Sequence, residues 1–239
     1  MNARVAALLV AVAVSACASV VPPPGEPNPR DPYESVNRRM FAFNERLDAK
    51  VLKPAAQSYQ TLVPEPVRDG VRNFFGNLGD AWSAVNWLLQ GDVHRGVEQG
   101  ARFAWNSTLG VAGLFDVSTS FGLDKRSQDF GQTLGAWGVG AGPYLVLPVF
   151  GPSSFRDAAA LPVNSMGGSG WWFESQRTQI AMRALEVIGL RADLLKAGDL
   201  VEGIALDKYT FFRDAYLQRR GGKGKKPSED DDFEVVPSP

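Results

Sequence analysis

The single cysteine of this chain, Cys17, closes the run Val14-Ser15-Ala16-Cys17 at the end of an apolar stretch that begins at Val5, directly after Arg4. A basic residue, about ten apolar residues and a small-small-Cys ending describe a bacterial signal peptide with its cysteine at the cut point, the pattern of a lipoprotein signal. A secretory peptide with an incidental cysteine is the plainer alternative. On the lipoprotein reading, residues 1–16 are removed and a lipidated Cys17 heads the mature chain. Each buried acyl methylene contributes about 0.8 kcal/mol, so several acyl chains together anchor durably. The fold that follows has no thiol left, so no disulfide braces it, although its compartment would permit one. It has to stand on packing alone.

The material for that packing is ample. The chain has 239 residues, of which 44% are hydrophobic, enough for one large domain. Its formal net charge of -1 lacks the basic footprint of a nucleic-acid binder, so no nucleic-acid partner is expected. After Cys17 no uninterrupted apolar run reaches about 18 residues, which excludes an ordinary transmembrane helix. Residues 17–27 carry Pro22, Pro23 and Pro24 and read as an extended tether. At the other end, residues 221–239 hold a basic cluster (Lys223, Lys225, Lys226) and then an acidic one (Glu229 to Asp232), and read as a disordered tail. Residues 28–220 are left as a single folded domain.

Within that domain the periodicity is helical, with Gly and Pro as punctuation. Val36, Met40, Phe43 and Leu47 mark one apolar face on a first helix, which Pro54 ends. Pro66 opens a short helix, and Asp80 caps a second that runs to Gly91. Asp92 caps a third, Val93 to Asn106, with Val97, Ala101, Phe103 and Ala104 inward. Two more patterns cover Gln176 to Ala197 and Asp199 to Arg219. No strand series and no alternating hairpin pair is evident, so the expected fold class is all-α, built from short and medium amphipathic helices. Between Asp129 and Pro148 five glycines crowd together: Gly131, Gly135, Gly138, Gly140 and Gly142. Each costs about 1 kcal/mol in helix propensity relative to alanine, so either close packing or backbone freedom must explain them. The apolar stretch Tyr144 to Phe150 after Pro143 is long enough to dip into a bilayer interface and too short to cross one.

Chemistry for catalysis is thin. Gly138-x-Gly140-x-Gly142 lacks the Lys-Ser/Thr that completes a phosphate loop. His94, the only histidine, has no nucleophile pattern beside it, and one His without a spare Cys makes no zinc set. Asp69 and Asp80 occupy cap-like positions. No catalytic residue, metal or cofactor is expected, and a lipid-cleaving enzyme is a minority reading.

Six segments carry a family resemblance: NPRDPYESVNRRMFAFNERLD (28–48), VLKPAAQSYQTLVPEPVRDGVRNFFGNLGD (51–80), NWLLQGD (86–92), RFAWNSTLGVAGLFD (102–116), DFGQTLGAWGVGAGPYLVLPVFGPSSFRD (129–157) and RDAYLQRR (213–220). In order and spacing the chain resembles the MlaA (VacJ) family of outer-membrane lipoproteins. The resemblance implies a ring of helices around a central amphipathic channel, held in the outer membrane of a Gram-negative bacterium and facing the periplasm. It implies removal of mislocalised phospholipids from the outer leaflet and their delivery to a soluble periplasmic carrier, MlaC, with a trimeric porin as a further neighbour. An adaptor lipoprotein that stabilises a porin or envelope complex is the alternative. By the same resemblance, Arg156 and Asp157 fall at charged channel-lining positions, with a local ion pair or helix cap as the alternative. The five glycines match a mobile region beside the channel, or else a close-packed one. Phe41, Phe43 and Asn44 match an early helix that keeps the channel regulated; otherwise they are core and cap positions. No family motif aligns with Asn164 to Phe173, where Trp171 and Trp172 suit a headgroup level.

Overall fold

Pro54 does not end the first helix. In the computed structural model, which describes residues 28–168 and 173–220, α1 (Glu34–Leu47) passes through a π-helical turn at Asp48–Leu52 into α2 (Lys53–Leu62), with Pro54 in the first turn of α2. There its missing N–H matters least, and the wider π turn absorbs the change of register. The Cys17 anchor, the tether, Trp171, Trp172 and the charged tail lie outside the described residues.

The two short helices expected between Pro66 and Gly91 are one. Helix α3 (Glu65–Leu89) starts with Pro66 in its first turn and runs straight through Asp80. Gly91, at φ 80°, turns the chain into α4 (Val93–Thr108), whose first turn is capped as expected: the Asp92 carboxylate accepts from the Arg95 N–H at 3.0 Å. Contacts between Leu88 and Gly96, Asp80 and Arg102, and Asn77 and Ser107 run in opposite senses along the two helices, so α3 and α4 form an antiparallel pair. A Cβ on Gly96 would lie 2.6 Å from a Leu88 methyl, which explains the glycine.

The orientation of α4 reverses the expectation. Its buried residues are Gly96, Gln99, Arg102 and Asn106, while Val93, Val97 and Trp105 are exposed. The helix is amphipathic with its polar face inward.

After a short 3-10 turn at Thr119–Phe121 comes α5 (Phe130–Ala136), opened by a capping box between Asp129 and Gln132. Only Gly131 and Gly135 belong to this helix. Gly138 and Gly142, at φ 92° and 69°, take left-handed turns in the connection that also holds Gly140. A β-hairpin then appears where none was expected: β1 (Tyr144–Leu147) pairs antiparallel with β2 (Gly151–Ser154), Tyr144 opposite Ser154 and Leu147 opposite Gly151. Its sequence shows no alternation because β1 is uniformly apolar and β2 is Gly-Pro-Ser-Ser.

Helix α6 (Phe155–Gly167) leaves β2 directly, and α7 (Gln176–Asp193) ends earlier than its pattern suggested. The last expected helix is two, α8 (Leu195–Ile204) and α9 (Lys208–Arg220). The break falls at Asp207, whose carboxylate accepts from the Tyr209 N–H and the Thr210 hydroxyl and binds Arg38 of α1 at 2.7 Å.

Among the described residues two small apolar clusters tie the elements together. Tyr144, Val146, Tyr209 and Leu217, with Met40, Phe41 and Tyr216 against them, join β1 to α1 and α9. Ala56, Ala192 and Leu195, with Tyr59, join α2 to the α7–α8 junction. The all-α expectation holds apart from the hairpin. Among the described residues no helix is long and apolar enough to cross a membrane.

Candidate functional site

Charge is buried in the seam between α3 and α4. Arg102 is 1% exposed. Its Nε donates to Asp80 at 3.2 Å, one terminal nitrogen donates to the Leu123 carbonyl and the Thr119 hydroxyl, and the other donates to Asp116 at 2.9 Å. Lys125 reaches the second oxygen of Asp80 at 2.8 Å and the Gly76 carbonyl at 2.7 Å. Two cations therefore meet two carboxylates, and a buried charge is tolerable only when it is paired in this way. Neutral groups extend the seam: Asn106 donates to the Asp116 carboxylate and accepts from the Ser118 N–H, and Gln99 donates to the Asp124 carbonyl and accepts from the Arg126 N–H. Burial acts to raise the Asp116 carboxyl, but the Thr119 hydroxyl and amide and the Arg102 guanidinium hold it down, at about 2 against an ordinary 3.8.

The opposite surface of the same elements is apolar. Val85, Leu88 and Leu89 of α3, Val93, Val97 and Trp105 of α4, and Leu109, Leu114, Phe115 and Phe121 beyond it all stand exposed. The turn carrying Leu109 to Phe115 is itself strained, with Val111 at φ 53° and Ala112 at φ 57°, a left-handed pair that β-branched Val adopts only when held. The Asn106 carbonyl, accepting from the Gly113 N–H at 2.8 Å, supplies part of that hold.

Between α3 and α7 lies a cavity of about 600 Å³, within the range of ligand pockets. Val71, Phe75 and Leu190 give it apolar wall. Arg68, Arg72, Arg102 and Lys125 give it cations, and Asp80 and Asp116, with Glu186 and Asp193 on α7, give it carboxylates. Gly79 and Gly189 face it with open space where a side chain would stand. Such a lining accommodates a molecule with a charged part and an apolar part.

The residues singled out from sequence lie elsewhere. Arg156 Nε donates to its neighbour Asp157 at 2.9 Å, so the pair is a local one, and it does not line this cavity. Asp157 also accepts from the Tyr216 hydroxyl at 2.6 Å and from Arg220 at 3.4 Å, while Arg220 pairs with Asp129 at 2.5 Å. Burial, and then the Asp157 hydrogen bond, push the Tyr216 hydroxyl well above its ordinary pKa. Gly131 and Gly135 belong to the same cluster: a Cβ there would lie 2.6 Å from an Asp157 oxygen and 2.6 Å from an Arg156 nitrogen. Gly138, Gly140 and Gly142 meet neither residue. Phe41 packs edge-on to Tyr209 with centroids 5.7 Å apart, whereas Phe43 is exposed. Asn44 grips the hairpin, donating to the Leu147 carbonyl at 2.9 Å and accepting from the Val149 N–H at 2.8 Å. His94 stands exposed beside Glu98, and among the described residues no three His, Cys, Asp or Glu side chains gather as a metal site.

Sequence reasoning missed Asn37, which is 1% exposed and lies two turns before Asn44 on the same face of α1. It donates to Asp31 and to the Tyr144 carbonyl and accepts from the Val146 N–H, so the two asparagines stand in for a third strand along β1. Their seven-residue spacing was the available signal. The Gln99, Arg102, Asn106 stripe was another, readable once the outside is allowed to be apolar.

A helical protein that pairs its charges inside, turns apolar side chains outward and encloses an amphipathic cavity is built to meet lipid. Comparison with known proteins agrees. The sequence profile described as MlaA lipoprotein matches residues 29–223. The intermembrane phospholipid transport system lipoprotein MlaA of Shigella flexneri is 34% identical over 214 residues, covering 86% of this chain and 84% of that one. A protein of Rickettsia bellii is 36% identical over 198 residues, 82% and 78% of the two chains. A solved structure, from work on the structural basis for maintenance of bacterial outer membrane lipid asymmetry, superposes with a TM-score of 0.71 at 35% identity, over 82% of this chain and 99% of that one. The chain belongs to the MlaA lipoprotein family.

Proposed function

We propose that this protein, a lipoprotein anchored through Cys17 in the outer membrane and facing the periplasm, removes mislocalised phospholipids from the outer leaflet. They pass through its amphipathic cavity to a soluble periplasmic carrier of the MlaC type, so that lipid asymmetry is maintained, with a trimeric porin as a neighbour. The observation that carries the reading is the reversed polarity of the α3–α4 pair, buried charges within and exposed large apolar side chains without. In water such a surface is unfavourable; against acyl chains it is not. The relatives named as phospholipid transport lipoproteins support the same substrate class. No step here consumes energy. A passive path shifts lipid only as far as the carrier downstream binds it more tightly than the membrane does.

The test fills the cavity. A Cβ on Gly189 meets nothing within 4 Å, so Gly189→Phe places a ring in the cavity without a backbone clash. With membrane residence and porin association unchanged, phospholipid in the outer leaflet should rise to the level seen without the protein. Unchanged asymmetry in that variant sinks the transport reading and favours the adaptor.

A further inference from the structure

Besides Asp80, Asp116, Arg102 and Lys125, which pair with one another, the α3–α7 cavity is lined by charges that differ in sign between its walls. Arg68 and Arg72 lie one turn apart on α3, and a turn further on Lys125, paired with Asp80, donates to the Gly76 carbonyl. Facing them, α7 presents Glu186 and Asp193, seven residues apart on one helical face, with Gly189 and Leu190 between. We propose that this cavity selects zwitterionic phospholipid headgroups, the phosphate against the α3 cations and the ammonium against the α7 carboxylates. The inference rests on the reading of the cavity as a lipid path.

The physical case starts from an ion pair that spans the gap, Arg72 to Asp193 at 3.5 Å. Its side chains are 52% and 37% exposed, and such a pair is weakly held. Opening it is therefore cheap. A headgroup with both charges re-pairs both partners: its phosphate takes Arg72, its ammonium takes Asp193, and no charge is stranded in the cleft. Arg72 also binds Asp69 at 2.7 Å, and Arg68 donates to the Gln60 carbonyl at 3.0 Å, yet a guanidinium has five N–H donors and keeps some for a phosphate. A headgroup with only a phosphate satisfies the cations and leaves Asp193 without its partner. With a lipid in the cleft and water displaced from it, that unpaired carboxylate is the costly state. Val71, Phe75 and Leu190 are placed to take the first acyl carbons.

The experiment presents the full-length protein in mixed micelles with equal amounts of phosphatidylethanolamine and phosphatidylglycerol bearing identical acyl chains, and counts the lipid retained. The unaltered protein should hold the zwitterionic lipid in about five- to tenfold excess. Asp193→Asn should bring the ratio to parity, and Asp193→Glu should restore it, with thermal melts confirming that both variants fold. Lipid retained in the proportions of the mixture, or a ratio indifferent to Asp193→Asn, overturns headgroup selection alone. Retention of no lipid at all overturns the cavity as a lipid site, and this inference with it.

Discussion

Arg102 is among the largest side chains withdrawn from solvent in this protein, and it is a charged one. Its surroundings define what the residues here are selected to do, which is to neutralise each other away from a surface that has no use for charge. Asp116 shows the consequence for pH. Its carboxyl sits at about 2 when folded against 3.8 ordinarily, so the stability it contributes is fully present above about pH 4 and is lost as pH falls through 2. In detergent, thermal melts of the unaltered protein should fall steeply across that window. Asp116→Asn should be less stable near neutrality and show a shallower acid slope, the two curves converging near pH 2. Parallel slopes would mean that the Arg102 and Thr119 contacts do not set the titration. The sequence could not announce this role for Asp80 or Asp116. An aspartate before a helical run reads as a cap, and only the partner twenty-two residues away turns Asp80 into a buried counter-ion.

At the scale of elements, what was legible depended on whether the signal was local. The Asp92 cap and the Pro66 start are decided by neighbouring residues, and each stands where the sequence put it. The hairpin was illegible because its partner is not a strand: α1 supplies Asn37 and Asn44 in place of one, and no alternation is needed. The inward face of α4 was misread for a different reason, that apolar-inward patterning assumes water outside. The glycines show why a motif is not a unit. Gly131→Ala drives a methyl against an Asp157 carboxylate that Tyr216 and Arg156 hold in place, and should destabilise by about 1–3 kcal/mol. Gly135→Ala meets the far end of Arg156 and should cost less. Gly138→Ala, with open space but φ 92°, should cost about 1 kcal/mol from backbone strain. Gly140→Ala, with open space and no positive φ, should be neutral or slightly stabilising. Equal effects at all four positions, measured by denaturant melts in detergent, would contradict the division between packed and turn glycines.

For the whole molecule, the question is what would hold it at a bilayer when no described helix is long and apolar enough to cross one. On the lipoprotein reading an anchor at Cys17 would fix the chain to a bilayer, yet the outward residues from Val85 to Phe121, with Val149 and Phe150 at the hairpin tip, would favour acyl chains on their own account. Lipid and surface are thus separable determinants, one covalent and one spread over several elements. Apolar contact is not screened by salt, whereas attachment through exposed charges is. A form exported without its lipid, Cys17→Ser behind an ordinary secretory signal, should therefore stay with membranes through a high-salt wash and leave only in detergent. Adding Val97→Glu and Phe115→Glu to that form should release it, because each carboxylate would have to enter the acyl region unpaired. Fractionation of the three forms decides the matter. If the unlipidated protein is recovered monodisperse in the soluble periplasmic fraction, the anchor alone holds the molecule, and the reversed polarity of α3 and α4 has to be assigned to a protein partner instead of the bilayer.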